Sequence, residues 1–568
     1  MESILGGVPL PNPHFRIAPL SSRLSSVTGF KDLQTYFPTL DSILAGKKPN
    51  SELWFDSKYR ISGLDISGIS GPCVVHLSEN VDASGEVPVT ETSPAFLKVT
   101  HLLDPIRWMK GLYSFPLTNK LPGNEKTWGN AYNKLQDPMN QAYVETIASY
   151  ALGRLREGGI SPHFNKFFGA FCAKADTYRY SMTEEFQSFR NSRWFWKGKH
   201  SSLYKLSVSY AKNPLTPVPA KVVEELLVEP EDLLSDSDAS DGSESVEEVD
   251  VGDVEEGNTS VHSGGISEID FAGEEAESES DSETLSTCSS DIGDTYNIYA
   301  EMSDFPVMIL ALESNSGTMD SLLDDYSAVG ASPGMDLWEA KWSAWLFQVV
   351  AALSAAQKFI GFTHNDLHTN NIVWTDTAEE YMYYVRDGGE VFRVPTYGKL
   401  FRIIDFGRAI YTLNGQLFFS DDFKVGNDAE GQYSFKPLVA RPGTEVGPNP
   451  SFDLCRLAVS LFDALFPKPP PLKEGGAILS SEEGLEMKET TCELYNILWT
   501  WMLDDEGKNV LVEPSGEERF PDFDLYSHIA EYVHGAVPSR QFTHPVFDRF
   551  QVNPSEVGDA VRKWKLFC

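Results

Sequence analysis

The sequence predicts an α+β fold, with strands gathered in its first part and helices in its second. Three observations carry that reading. Short apolar runs, set off by glycine and proline, occupy Ile61–Leu77, Pro94–Thr100, Pro162–Cys172 and Phe305–Ser314, the texture of strands. Apolar residues recur at three- and four-residue steps over Gln141–Arg156, Asp336–Phe359 and Phe452–Asp463, the period of helices packed on a core. Between the last two helices lie Phe362–Trp374 and Phe401–Arg408, where carboxylates, amides and imidazoles crowd two short stretches.

Bulk properties narrow the choices. A chain of 568 residues has room for two to four average domains, or for one fold with long insertions. Hydrophobic residues at 41% and aromatics at 12% suffice for a sizeable core. The net charge of -37 is concentrated: Val222–Asp294 holds 25 Asp and Glu and no Lys or Arg, so -37 less -25 leaves only -12 elsewhere. Such acidity argues against a nucleic-acid partner. Six scattered cysteines, none at zinc-ligand spacing, fit a reduced, intracellular and cytoplasmic setting. No apolar stretch follows a basic start and no apolar run approaches the length of a membrane span, so neither secretion by that route nor a membrane span is expected.

Taken in order, residues 1–50 are rich in Pro, Ser and Gly and read as an N-terminal extension. Ile61–Leu77 reads as strand, glycine turn, strand. Its Gly63, Gly68 and Gly71 do not form G-x-G-x-x-G, and Pro72 follows the last; an ordinary hairpin turn and a phosphate-covering loop both remain open. Pro94–Thr100 is an apolar strand containing one charge, Lys98. In the helix over 141–156, Val144, Ile147, Ala148, Ala151 and Leu155 form the stripe. Glu145 beside it is the only carboxylate inside, with Asp137 before and Glu157 after. Residues 175–215 are aromatic and basic, notably Trp194–His200; beside a long acidic run, local packing or pairing with that run fits better than a base-stacking surface. The stretch 222–294 lacks the apolar residues needed to offset ordering and is expected to be disordered. Ser235, Ser237, Ser240, Ser243, Ser278 and Ser280 lie among acids there and suit acid-directed phosphorylation. Phe305–Ser314 resumes the strand texture. The helix from Asp336 carries Trp338, Trp342, Trp345, Leu346, Val349, Val350 and Leu353 as core. Tyr383–Tyr397 reads as a decorated hairpin, 466–489 as a Pro- and Gly-rich loop, and Leu494–Leu503 and Phe523–Val533 as further helices.

The chemistry resides in two stretches. Asp366 stands five residues before Asn371, and Asp405 follows an apolar strand directly before Phe406 and Gly407. Phosphoryl transfer needs one carboxylate to orient the attacking hydroxyl, and an amide and a second carboxylate to hold magnesium against the phosphates. His364 and His368 are four apart, but Asp366 between them and the lack of a third ligand argue against zinc.

The pattern H-x-D-L-x-x-x-N with D-F-G resembles the protein kinase signature. The divergent loop, long insertions and C-terminus resemble Ser/Thr protein kinases encoded by large DNA viruses of eukaryotes. The resemblance covers roughly residues 60–175 and 305–550. It implies a two-lobed fold: a β-rich small lobe over 51–312, interrupted by an insertion at about 175–304, and a helical large lobe over 313–568. It also implies roles. Asp366 would be the catalytic base, Asn371 and Asp405 the magnesium ligands, and Lys98 the contact to the α- and β-phosphates with Glu145 as its partner. Gly68 and Gly71 would cover the phosphates, backbone groups near Glu313 would meet the adenine edge, and His368 would donate to the γ-phosphate where Ser/Thr kinases usually carry Lys. Asp453 would hydrogen-bond back to the catalytic loop. Two departures stand out. Asn365 replaces the usual Arg, which argues against activation-segment phosphorylation as the switch, and Gly443-Thr-Glu445 is a poor substitute for A-P-E. The expected activity is ATP- and Mg2+-dependent transfer to Ser/Thr hydroxyls of protein substrates, in a host cytoplasm or virion if the origin is viral. The alternatives are a pseudokinase or interaction protein offering its acidic segment to a basic partner, or a small-molecule phosphotransferase. The latter share the loop but usually lack Phe-Gly after the metal-binding Asp.

Overall fold

The computed structural model describes residues 27–34, 59–66, 68, 70–79, 91–113, 129–230, 295–413, 415–438, 445–521, 523–558 and 560–568. The architecture is α+β. Its first part is a seven-stranded antiparallel sheet built from β1 (Phe30–Gln34), β2 (Tyr59–Ile66), β3 (Gly71–Glu79), β4 (Glu91–His101), β5 (Phe167–Ser181), β6 (Lys205–Tyr210) and β7 (Tyr296–Glu313). The order is β1-β5-β7-β4-β3-β2, with β6 on the outer half of β7. Three helices lie between its strands in the chain: α1 (Gly129–Gln136) and α2 (Gln141–Glu157) between β4 and β5, and α3 (Arg193–His200) between β5 and β6.

The sheet is larger than the sequence suggested. β7 begins at Tyr296, not Phe305, and its first half pairs with β6 through Tyr210↔Tyr296 to Lys205↔Glu301 and with β5 out to Ser181↔Tyr299. Three stretches of the expected insertion at 175–304, namely 175–181, 205–210 and 296–304, are therefore sheet. The aromatic stretch packs locally: Phe195 and Trp196 on α3 are at most 1% exposed, and Phe186 and Phe195 meet edge to face at 6.1 Å. Disorder was expected from 222, yet Ala220–Leu226 is helical; residues 231–294, with all six acid-flanked serines, lie outside the described residues. Phe30–Gln34 of the N-terminal extension joins the sheet as an edge strand on β5.

The second part is organised around α4 (Asp336–Ile360), whose Trp342, Trp345, Phe347 and Val350 are at most 1% exposed. Gly361 ends the helix in the left-handed region at φ 58°, which costs glycine little. An 18-residue window of α4 is apolar enough for a membrane by length and composition, with hydropathy 1.2, but 89% of it is buried in the protein's own core. Gln348 on α4 fixes the next strands by donating to Lys399 O and accepting from Phe401 N. Those strands are β8 (Ile372–Asp376), β9 (Tyr381–Val385), β10 (Val391–Pro395) and β11 (Lys399–Ile403); β9 and β10 form the expected hairpin. Helices α5 (Phe452–Leu465), α6 (Glu493–Trp501) and α7 (Asp524–Tyr532) complete this part.

Candidate functional site

Alternation along β4 puts Ala95, Leu97 and Val99 into the core and turns Lys98 and Thr100 to the other face. There both meet Glu145 of α2. Lys98 Nζ lies 2.5 Å from Glu145 Oε1, and the Thr100 hydroxyl donates to Oε2 at 3.2 Å. Asp137 and Glu157 are engaged elsewhere, with Lys424 and Arg154 respectively. Lys98 also reaches Asp405 Oδ1 at 2.9 Å. The sequence-predicted trio is thus assembled from three distant segments. Glu145 is 2% exposed and Lys98 16%, whereas Asp405 keeps 38% of its side chain open.

The electrostatics follow from that arrangement. Burial alone would lower the Lys98 ammonium, but Asp405 and Glu145 reverse this and leave it raised. Burial pushes Asp405 up, and Lys98 outweighs it, holding the carboxyl below its usual value. Glu145 is raised by burial, with Lys98 opposing. Asp405 itself sits at φ 65°, a left-handed conformation that costs a non-glycine residue energy and persists only where neighbours enforce it.

The loop bearing Asp366 is held from below. Asp453 on α5 accepts from the N–H of His364 at 3.0 and 2.9 Å and of Asn365 at 3.0 Å. His364 takes the N–H of Asp366 on Nδ1 at 3.3 Å, so its Nε2 is the donor to Ile404 O at 2.8 Å. Phe406 packs on Phe362 and His364 at centroid distances of 5.7 and 5.8 Å. Asn365 has φ 65°, which asparagine tolerates. Its amide donates to Thr363 O and Arg408 O, and its oxygen accepts from Tyr433 at 2.6 Å. Asn365 therefore ties the loop to the segment after Gly407.

Asn371 donates to Asp366 O at 2.8 Å and lies 3.0 Å from His368 Nε2. Burial lowers the His368 pKa, favouring the neutral ring that accepts this hydrogen bond. The structure thus gives His368 Nε2 to the Asn371 amide. With its nitrogen fixed on both sides, Asn371 is left its amide oxygen to present. Asp366 is lowered despite burial because Arg408, His368, Arg456 and His364 are close.

Gly68 lies exposed in the β2–β3 turn, and Gly71 opens β3 at φ 118° opposite Leu97, the neighbour of Lys98. Gly71 is thus paired one residue away from Lys98 along β4. Glu313 lies at the end of β7 with its N–H donated to Lys166 O at 3.0 Å. Its carbonyl accepts from Asn315, and its carboxylate is bound by Arg156 and lies 3.5 Å from Arg402. Its own groups serve the fold, and an adenine contact would fall to neighbouring residues.

Sequence reasoning missed a second layer. Asp421 Oδ1 accepts from Gln141 N at 2.9 Å, the first residue of α2, and its Oδ2 pairs with Lys134 of α1. Arg408 Nε lies 3.6 Å from Asp422. Tyr526 of α7 donates to Asp366 Oδ1 at 3.1 Å. No local pattern marks these residues; only chain folding brings them together. Among the described residues no group of three or more His, Cys, Asp or Glu gathers to hold a metal. In comparison with known proteins, no family model matches the chain and no curated protein matches it.

Proposed function

We propose that the chain is a protein-kinase-like phosphotransferase, a two-lobed enzyme that moves the γ-phosphoryl group of ATP, with Mg2+, to Ser or Thr hydroxyls of proteins. The observation that carries this reading is Lys98 held between Glu145 and Asp405 at 2.5 and 2.9 Å. Packing alone does not call for three charged groups from three segments in one place, since burying them is costly. Phosphate chemistry does call for them.

The donor set fits magnesium. Mg2+ keeps several waters and is bound through one or two carboxylates plus substrate phosphates, not by an all-protein cage. Asp405 and the oriented amide oxygen of Asn371 would hold it. Bound together, ATP and Mg2+ supply the activated phosphoryl group and neutralise its charge. Lys98 would steady the inner phosphates, and Glu145 keeps its ammonium aimed. The turn at Gly68 and Gly71 borders the phosphate side. Asp366, kept ionised by its cationic neighbours, would orient the acceptor hydroxyl and take its proton. The free thiols at Cys73, Cys172, Cys455, Cys492 and Cys568 support a reducing, intracellular setting.

The test is magnesium-dependent transfer of labelled γ-phosphate to casein and to the protein itself. Wild type should incorporate label and Asp405→Ala should lose it by at least about 100-fold, the scale of removing a transition-state charge contact. Equal incorporation by both would end the proposal.

A further inference from the structure

Tyr526 reaches the candidate base from outside the catalytic loop. It lies in the first turn of α7, and its hydroxyl donates to Asp366 Oδ1 at 3.1 Å. Arg456, three residues beyond Asp453 on α5, donates from Nε to the same hydroxyl at 2.9 Å. Its guanidinium also sits 5.1 Å from the Tyr526 ring centroid. The oxygen thus receives a hydrogen bond from one side and directs its own proton to the other. The ring has little freedom: Phe523 stacks on it at 5.4 Å and 10°, and Phe452 lies at 6.0 Å. Burial raises the phenol, so it remains an O–H donor. Tyr526 thus engages one of the two carboxylate oxygens of Asp366, Oδ1.

We propose that Tyr526 is a positioning residue for the acceptor step: oriented by Arg456, its hydroxyl holds Asp366 Oδ1 and leaves Oδ2 for the incoming acceptor hydroxyl. The inference rests on the phosphotransferase reading and deepens it. A short carboxylate side chain turns about two bonds, and fixing one oxygen sets the direction of the other. Transfer is sensitive to such alignment because the attacking oxygen must approach in line. In the step itself the acceptor oxygen bonds to the γ-phosphorus, the bond from that phosphorus to the bridging oxygen breaks, and the acceptor proton passes to Asp366. A nucleoside diphosphate leaves. Tyr526 exchanges no proton. A protein acceptor depends on this alignment more than water does, because water is small enough to approach from several directions.

The experiment compares wild type with Tyr526→Phe, Arg456→Met and the double variant, all in the full chain, measuring phosphate transfer to casein and release of inorganic phosphate in one assay. Thermal melts report whether each variant folds. Tyr526→Phe should lower kcat for transfer about tenfold, the worth of one well-placed hydrogen bond. The KM for ATP should stay within about twofold, and the ratio of transfer to hydrolysis should fall. Arg456→Met should act in the same direction, and the double variant should be no worse than the weaker single variant. An unchanged ratio, additive losses, or faster transfer by Tyr526→Phe overturns the proposal. Faster transfer would mean that the hydroxyl obstructs the acceptor. An inactive wild type ends the phosphotransferase reading and this inference with it, whereas an active wild type and an unaffected Tyr526→Phe ends this inference alone.

Discussion

Asp453 shows how one buried side chain supports a loop. It is fully buried, and both of its oxygens are occupied by the backbone of His364 and Asn365. Replacing it with alanine leaves two buried N–H groups without partners, each costing about 1–3 kcal/mol. Asp453→Ala should therefore lose on the order of 2–6 kcal/mol in denaturant unfolding, and Asp453→Asn, which keeps one acceptor, should lose less. Equal losses would show that the hydrogen bonds are not the cause. Such residues were partly legible. The sequence marked Lys98, Glu145 and Asp405 by their places within, beside or after an apolar run, whereas Asp453 came only with the resemblance. It did not show that His368 Nε2 faces the Asn371 amide, a contact set by how the loop folds. Nothing local marked Tyr526 or Arg456, whose partners are far away in sequence.

At the scale of elements, the decisive placement is that of α2, since Glu145 meets Lys98 only if this helix is seated correctly. Packing is one restraint: Val144, Ile147, Ala148 and Leu155 are at most 2% exposed. The segment after Gly407 is another. Asp421 caps the first N–H of α2 and pairs with Lys134 of α1, while Lys424 pairs with Asp137 between the two helices. A carboxylate at that end also suits the helix dipole. Asp421→Ala should loosen α2 and lower transfer about 2- to 30-fold, the range of couplings of about 0.5–2 kcal/mol, with far-UV circular dichroism unchanged. Full activity in that variant would show that packing alone seats the helix. The periodicity of 141–156 was readable, but the clamp was not, because Asp421 lies in a segment without period.

Across the whole molecule, one buried carboxylate should make stability depend on pH. Asp422 faces Arg408, Asp421, Asp428 and Lys134, and burial pushes it up from 3.8 to about 7. A carboxyl raised on folding takes up a proton as the chain folds, so its contribution is complete below about pH 3.8 and is lost as pH rises toward 7. Asp422→Asn removes that dependence. The melting temperature of Asp422→Asn relative to wild type should be higher at pH 8 than at pH 5. Identical pH slopes would show that Asp422 titrates normally.

The sequence by itself determined the α+β class and the helices that carry stripes of period three and four. Each is set by spacing along a short stretch. Tertiary structure decided how far β5, β6 and β7 extend together, since residues 296–301 find their partners in 205–210 and 179–181 across a long intervening stretch. It also decided which carboxylate meets Lys98, and that Asp366 accepts from Tyr526, whose hydroxyl accepts in turn from Arg456. Contacts between residues distant in the chain depend on how whole faces pack, and no local pattern encodes them.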